Sequence, residues 1–400
     1  MKKIAILTSG ILPVPAVQGG AVENLIDFYL EYNEQHKLHD ITVYSVWHPN
    51  VKKHPALQST VNHYYYIDTS SYFAKLKRKL YKMFHADEYY NYFIEYFFEQ
   101  AYTHIAKERY DYIVLENRPG YALKLLHSNS HIVLHLHNDL LNNITPQNCA
   151  IFRSLTGILT VSNYIKTRVS TIVSSGCEIS KIITVYNGID LKRFSQNASL
   201  KICRSVMGFS NDDFVLVFSG RINRDKGISE LIDALLLLEF HNVKLMVIGS
   251  TFFGNVANED NFVQSLKNKA KAISQRIVFT GFIDYNRMPD FLSLADVAVI
   301  PSIWDDPFPT TILEAQAMGL PIICSNRGGI PEGVRKENAI IIPTGSQYIY
   351  ALANAIRLLY NSPQRRASMS AAALQNAPYF NKERYADDFF EAIESLSASK

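Results

Sequence analysis

Short apolar runs alternate with stretches in which apolar residues recur every three or four positions, from the first residues almost to the last. That alternation predicts parallel sheets flanked by helices. In the first half the predicted strands are Ile4–Thr8, Ile41–Val46, Tyr112–Leu115, His131–Leu136, Gly157–Val161 and Ile182–Val185. Helices fall between them. Val22, Leu25, Ile26, Tyr29 and Leu30 share one face after Gly19-Gly20, and Asn163 to Val173 makes another helix.

Around Tyr186 to Phe194 the text reads YNGIDLKRF, a turn followed by polar, aperiodic sequence, and a domain boundary is expected there. A second alternation follows. Its strands are Phe214–Ser219, Lys244–Gly249, Arg276–Thr280, Val297–Pro301 and Pro321–Cys324; its helices are Ile228–Glu239, Phe262–Ala272, Met288–Ala295 and Glu314–Met318. Two wound halves of similar size imply α/β architecture with twin Rossmann-like domains, 1–188 and 189–380, facing a cleft. The helical tail 381–400 (Arg384, Tyr385, Phe389, Phe390, Ile393) is expected to cross back onto the first domain.

Composition narrows the class. With 400 residues, 48% apolar and 19% charged, the chain can bury two or three cores. A net charge of +3 is too small to argue for nucleic acid. Cys149, Cys177, Cys203 and Cys324 form no CxxC pair and sit mostly in apolar surroundings, so buried free thiols in a reducing compartment are expected. The apolar run after Met-Lys-Lys is too short for a signal peptide, and no run approaches the about 20 residues of a spanning helix. A cytoplasmic protein is expected.

The chemistry gathers after the strands, as ligand sites in such sheets do. In PSIWDDPFPTTILEAQAMGLPII, Asp306 precedes Pro-Phe, and Glu314 opens the expected short helix that Gly319 stops. Backbone N–H groups at a loop and helix start can meet phosphate or sugar oxygens, and a carboxylate at Glu314 can accept two ribose hydroxyls. SGRINRDKG also links a strand to a helix: Gly220 permits a tight turn, Arg221 offers a planar fork and Lys226 a point charge, together suited to a diphosphate. A solvated basic loop is the plainer reading of that motif alone. Gly19-Gly20 resembles a phosphate-approaching turn without being the full dinucleotide fingerprint, and a plain turn fits it equally.

Period-two alternation puts His131, His135 and His137 on one strand face, but their spacing along a strand is too long for one ion with ligands at about 2 Å, so no metal is expected. His137 ends its strand and is a candidate for a sugar hydroxyl; His135 reads as a satisfied core histidine. Glu116-Asn117-Arg118-Pro119-Gly120 follows a strand as a polar loop and, with Asn138 and Asp139, is a candidate acceptor-side lining or a bland turn. Lys75, Lys77, Arg78, Lys79 and Lys82 interleave with Tyr72, Phe73, Leu76, Leu80, Tyr81, Met83 and Phe84. Such a helix either lies on an anionic membrane surface or covers a buried stripe with a solvated face, and the buried stripe is expected. The aromatic run Tyr89 to Tyr102 is expected to be core.

Nearly the whole chain resembles the retaining glycosyltransferases of family 4, which have the GT-B fold. The motifs that carry this are GRINRDKG, VIGS, FTGFI, ADVAVIPS, DDPFPTTILEAQAMGLPII and RGGIPEGV in the second half, with GGAVENLI, HLHND, VSNYIK and VYNGID in the first. ENRPGY with HLHND also resembles members that build lipopolysaccharide core or other surface polysaccharide. The resemblance implies that Arg221 and Lys226 bind the donor diphosphate, that Glu314 holds the ribose, and that Asp306 contacts the donor sugar. It further implies that Gly20 approaches the phosphates, that His137 lies near the reacting carbon, and that Ile283 lies near the base. Pro307, Phe308, Pro309, Thr310 and Thr311 complete the implied donor-binding segment. Asp306 stands where the family usually has Glu, and Pro309 where it usually has Gly; both touch the sugar pocket. The implied reaction is metal-independent, retaining hexosyl transfer from a nucleotide sugar to a saccharide or lipid-linked saccharide of bacterial surface glycan. It needs no cofactor, favours a UDP-sugar, and runs in the cytoplasm, with possible contact at the inner membrane through Lys75–Lys82. A sugar-nucleotide epimerase and a non-catalytic sugar-nucleotide-binding subunit remain as alternatives.

Overall fold

The computed structural model describes residues 1–84, 96–126, 128–173, 181–196, 202–250 and 261–397. The core role expected of Tyr89 to Glu95 and the thiol of Cys177 lie outside the described residues, as do the side chains of Arg78, Tyr81, Lys82 and Phe84. The chain forms two compact units, Met1–Asn187 with Glu383–Lys400, and Gly188–Lys382.

The first unit holds β1 (Lys3–Leu7), α1 (Ala21–His36), β2 (Asp40–Val46), β3 (Asn62–Ile67), α2 (Tyr72–Phe84), α3 (Tyr96–Ile105), β4 (Tyr112–Glu116), β5 (His131–Leu136), α4 (Asn148–Ser154), β6 (Gly157–Thr160), α5 (Asn163–Ser170) and β7 (Lys181–Thr184). Its sheet runs β3-β2-β1-β4-β5-β6-β7, every pair parallel. The second unit holds β8 (Phe214–Ser219), α6 (Ile228–Leu236), β9 (Val243–Ile248), α7 (Asn261–Lys269), β10 (Ile277–Gly281), α8 (Met288–Leu292), β11 (Val297–Ile300), α9 (Thr310–Ala317), β12 (Ile322–Ser325), β13 (Ala339–Ile342), α10 (Tyr348–Tyr360) and α11 (Pro363–Asn376). Its sheet runs β10-β9-β8-β11-β12-β13, again parallel. In both, the strand order reverses beside the first strand, the switch point where open α/β sheets bind ligands.

The tail forms α12 (Lys382–Ser397). Tyr385, Phe389, Phe390 and Ile393 enter the core of the first unit, where the Phe389 ring stacks on Tyr29 at 4.2 Å. Each such ring, taken from water, contributes about 1.5–3 kcal/mol.

Four expectations are corrected. Strands β3 and β13 were not anticipated: NHYYYI opens with polar residues, and AIII is a bare four-residue run between Asn338 and Pro343. Helix α9 begins at Thr310, not Glu314, because Pro309 sets the turn before it; the two β-branched threonines hide that start. The apolar stripe of α2 is not buried: Tyr72, Phe73, Leu76, Leu80 and Met83 are all exposed, while Ala74 faces inward. Cys149 is disulfide-bonded and Cys203 is exposed, so of the four expected buried free thiols only Cys324 is one among the described residues.

Candidate active site

In the second unit the loops after β8 and β11 leave neighbouring strand ends and are stitched together. The carbonyl of Asp225 accepts from the N–H groups of Ile303 (3.0 Å) and Trp304 (3.2 Å) and from the hydroxyl of Ser302 (3.1 Å). This joins SGRINRDKG to PSIWDDPFP and brings Lys226 onto Asp306, whose carboxylate accepts its ammonium. Asp306 is buried, and Lys226 also lies 5.9 Å over the Trp304 ring. Gly329 N–H donates to the Asp306 carbonyl at 2.8 Å. Beside it Gly328 has φ 54°, and a Cβ there would sit 2.2 Å from that same oxygen, so only glycine fits. The RGG segment thus backs the acid. Arg221 is exposed at the start of the β8 loop, directly after Gly220.

Glu314 lies inside α9 rather than at its start; the first two N–H groups of the helix belong to Thr310 and Thr311. Burial raises the Glu314 carboxyl to about 7, against a hydrogen bond from Thr310 that lowers it. Its charge also adds to the burial that lifts the Tyr285 phenol, and the Arg193 guanidinium stands 5.0 Å over that ring. Ile283 is half-buried just past β10.

In the first unit β4 and β5 pair with Glu116 opposite His135. Glu116 is the last residue of β4 and fully buried, so it is not part of the polar loop expected there, which begins at Asn117. Its Oε2 lies 2.7 Å from His137 Nε2 and 3.2 Å from His135 Nδ1, and its Oε1 accepts from the Tyr29 hydroxyl at 3.0 Å. Burial pushes the Glu116 carboxyl upward, but the two histidines outweigh it and hold the group well below the usual carboxylate range. Burial lowers the His137 imidazole from its ordinary value, and His135 adds to that. The ligand atoms of Glu116, His135 and His137 lie within 4.8 Å of one another, a spacing that an ion could use. Glu116 belongs to the neighbouring strand β4, so spacing along β5 alone does not include it. His131 sits apart, against Tyr112.

The second half of the chain, residues 202–376, matches the family model described as "Glycosyl transferases group 1". Spore coat protein SA of Bacillus subtilis is 30% identical over 98% of this chain and 99% of that protein. The chain belongs to the group 1 glycosyltransferases. A capsular polysaccharide biosynthesis glycosyltransferase, CapM of Staphylococcus aureus, is 29% identical over 62% of this chain and 61% of its own length. Among solved structures, Anabaena Alr3699/HepE in complex with UDP and glucose superposes with a TM-score of 0.72 at 22% identity, over 99% of this chain and 100% of that one. That likeness shows the GT-B fold.

The remaining residues of this glycosyltransferase are placed as follows. Pro307 and Phe308 are buried and Pro309 half-buried ahead of α9. Gly20 has φ 108°, and a Cβ on it would lie 2.1 Å from Glu23 Oε2. Glu23 was not anticipated: it is buried in the first turn of α1, and burial, with Glu116 adding to it, raises its carboxyl to about 7. Asn117 takes φ 61° and accepts from His137 N–H at 3.3 Å; Arg118 donates to the Ser9 carbonyl. Asn138 is half-buried, and Asp139 pairs with Arg168 at 2.7 Å and accepts from Asn142. Gly227 was likewise missed. It has φ 71°, and a Cβ there would fall 1.8 Å from the Pro301 carbonyl oxygen, so the β8 and β11 loops touch only because it is glycine. Gly227→Ala is expected to destabilise the fold by about 1–3 kcal/mol, seen as a lowered midpoint in urea, whereas Gly208→Ala, open on its Cβ side, should cost less. Equal midpoints for the two variants would contradict the close approach.

Proposed function

We propose that the chain transfers a sugar, with retention at the anomeric carbon, from a nucleotide-sugar donor to a saccharide or lipid-linked saccharide acceptor in the assembly of bacterial surface glycan. The observation that carries this reading is the junction of Lys226 with Asp306 in the second unit, held by the Asp225 carbonyl. A diphosphate competes for the ammonium, and the released Asp306 carboxylate is then free to accept sugar hydroxyls. Arg221 and Lys226 neutralise the charge that grows on the leaving diphosphate, with no metal ion in that role. The bond from the anomeric carbon to the phosphate oxygen breaks. The bond to the acceptor oxygen forms, and the acceptor proton passes to the departing phosphate on the same face. UDP as the carrier is supported by the UDP and glucose named with the Anabaena structure. Surface glycan is supported by the spore-coat and capsular names of the relatives.

A thermal-shift panel of UDP-, GDP-, ADP- and dTDP-sugars identifies the donor, since a ligand that binds only the folded state raises the midpoint. NMR of the product formed with an acceptor then reads the anomeric configuration. An inverted product, or a free epimer formed from donor alone without dependence on acceptor, would reject the reading.

Peripheral contact with the anionic inner membrane is the second part of the proposal. Tyr72, Leu76, Leu80 and Met83 recur at helical spacing on the exposed face of α2, with Phe73 alongside and Lys75 and Lys79 on the same helix; Lys77 pairs with Glu99. No helix among the described residues is long and apolar enough to cross a membrane. The protein is expected to sediment with phosphatidylserine vesicles, to release as salt screens the lysines, and to lose binding in Leu76→Glu/Leu80→Glu. Sedimentation unaffected by that double substitution would rule α2 out as the contact.

A further inference from the structure

The buried cluster at the ends of β4 and β5 has an asymmetry in its hydrogen bonds. Glu116 accepts from three sides: Tyr29 Oη, His135 Nδ1 and His137 Nε2. The second ring nitrogen of each histidine, His135 Nε2 and His137 Nδ1, is buried without a hydrogen-bond partner. An ionised carboxylate can only accept, so the nitrogen facing it must carry the proton. A neutral imidazole carries one proton, so its other nitrogen is then a bare acceptor. For His135 that second nitrogen is enclosed with Phe389 packed against the ring, at 5.5 Å between centroids. His137 follows the last residue of β5, at the carboxyl end of the sheet where ligands bind.

We infer that Glu116 is a positioning residue that locks His137 as the Nε2–H tautomer and so presents Nδ1 as an acceptor for a substrate hydroxyl. This rests on the proposed reading that His137 meets substrate. The depressed Glu116 carboxyl and the lowered His137 agree with it: the acid stays charged and the imidazole neutral. The short 2.7 Å contact is that of a charge-assisted hydrogen bond. Tyr29 and His135 occupy the rest of the carboxylate and hold its plane, so the lock extends from α1 through β4 to β5.

Glu116→Gln separates this from a packing role. The amide keeps the shape and can take two orientations. With NH2 toward His137 Nε2 it drives the ring proton onto Nδ1 and turns the acceptor into a donor; with its oxygen toward the histidines and NH2 toward the Tyr29 hydroxyl it keeps the wild-type tautomer. Histidine-nitrogen NMR of the full-length protein, with the His137 signal identified by its loss in His137→Gln, reads the tautomer directly. The wild type is expected to show a protonated Nε2 and a bare Nδ1. Glu116→Gln is expected to couple the two readouts: a reversed tautomer goes with kcat lowered on the order of 10²-fold and donor KM little changed, and a kept tautomer goes with kcat kept. Tyr29→Phe, which touches only the Oε1 side, should keep the wild-type tautomer. A wild-type His137 protonated on Nδ1, or a Glu116→Gln protein that keeps its tautomer yet loses kcat, overturns the inference; the first result needs no variant to fold. A stoichiometric divalent metal in the purified wild type that is lost from Glu116→Gln also overturns it, because the cluster would then be a ligand set. If the tautomer flips while kcat holds, and His137→Ala keeps full turnover, it is the reading of His137 at the substrate that fails.

Discussion

Lys226→Ala and Arg221→Ala are each expected to lower turnover by about 10²- to 10³-fold at saturating donor, the loss that follows when one preorganised charge facing a developing oxyanion is removed. The two are expected to differ in stability. Lys226 is ion-paired to the buried Asp306, so its removal strands a carboxylate and destabilises the fold on the order of 1–3 kcal/mol. Arg221 is exposed, and its removal should leave the melting point close to that of the wild type. Lys226→Ala/Asp306→Asn then makes the test sharp: the stability is expected to return while turnover stays low. Recovery of turnover together with stability would mean that Lys226 serves the fold and not the diphosphate.

Glu314→Ala is expected to raise the donor Kd about 10²-fold, the equivalent of about 3 kcal/mol from two hydrogen bonds to a charged acceptor. The buried carboxyl adds a pH signature. In the ligand-free protein it titrates at about 7, raised by burial. Ribose hydroxyls donate to the ionised form, so donor binding must first remove the proton at lower pH. The wild-type Kd is therefore expected to fall about tenfold from pH 6 to pH 8 and to level off above, with proton release measurable by calorimetry in buffers of different ionisation heat. Glu314→Gln, which has no proton to lose, should bind weakly with a flat profile. The linkage has a definite sign in the unliganded fold. Between the ordinary carboxylate range and about 7 the native state holds a proton that the unfolded chain has released, so this group's contribution to stability falls as pH rises through that window. A wild-type Kd independent of pH would remove Glu314 from the ribose.

The alternation of apolar runs and helical periodicity was enough to foresee eleven of the strands to within about a residue or two, because most of them are parallel strands buried on both faces, which write themselves as continuous apolar text. NHYYYI was missed because its strand identity comes from pairing with β2 rather than from its own hydrophobicity. The motif that resembles the family marked Asp306, Glu314, Arg221 and Lys226 one by one. It could not show that Asp306 and Lys226 meet, since that depends on β8 lying beside β11 and on Gly227 letting the loops approach. Glu116 read as loop because it is charged and precedes Asn-Arg-Pro-Gly, yet it is enclosed because three donors satisfy it, and those donors come from α1, β5 and the residue after β5. The α2 stripe shows the opposite failure: a helical pattern fixes which residues share a face but not whether that face turns inward.

A crystal of the full-length protein soaked with its UDP-sugar tests the central claim most directly. The diphosphate is expected within about 3 Å of the Arg221 guanidinium and the Lys226 ammonium, with the Lys226–Asp306 pair opened and the ribose on Glu314. Density for the nucleotide lodged away from both cations, with that pair still closed, would contradict it.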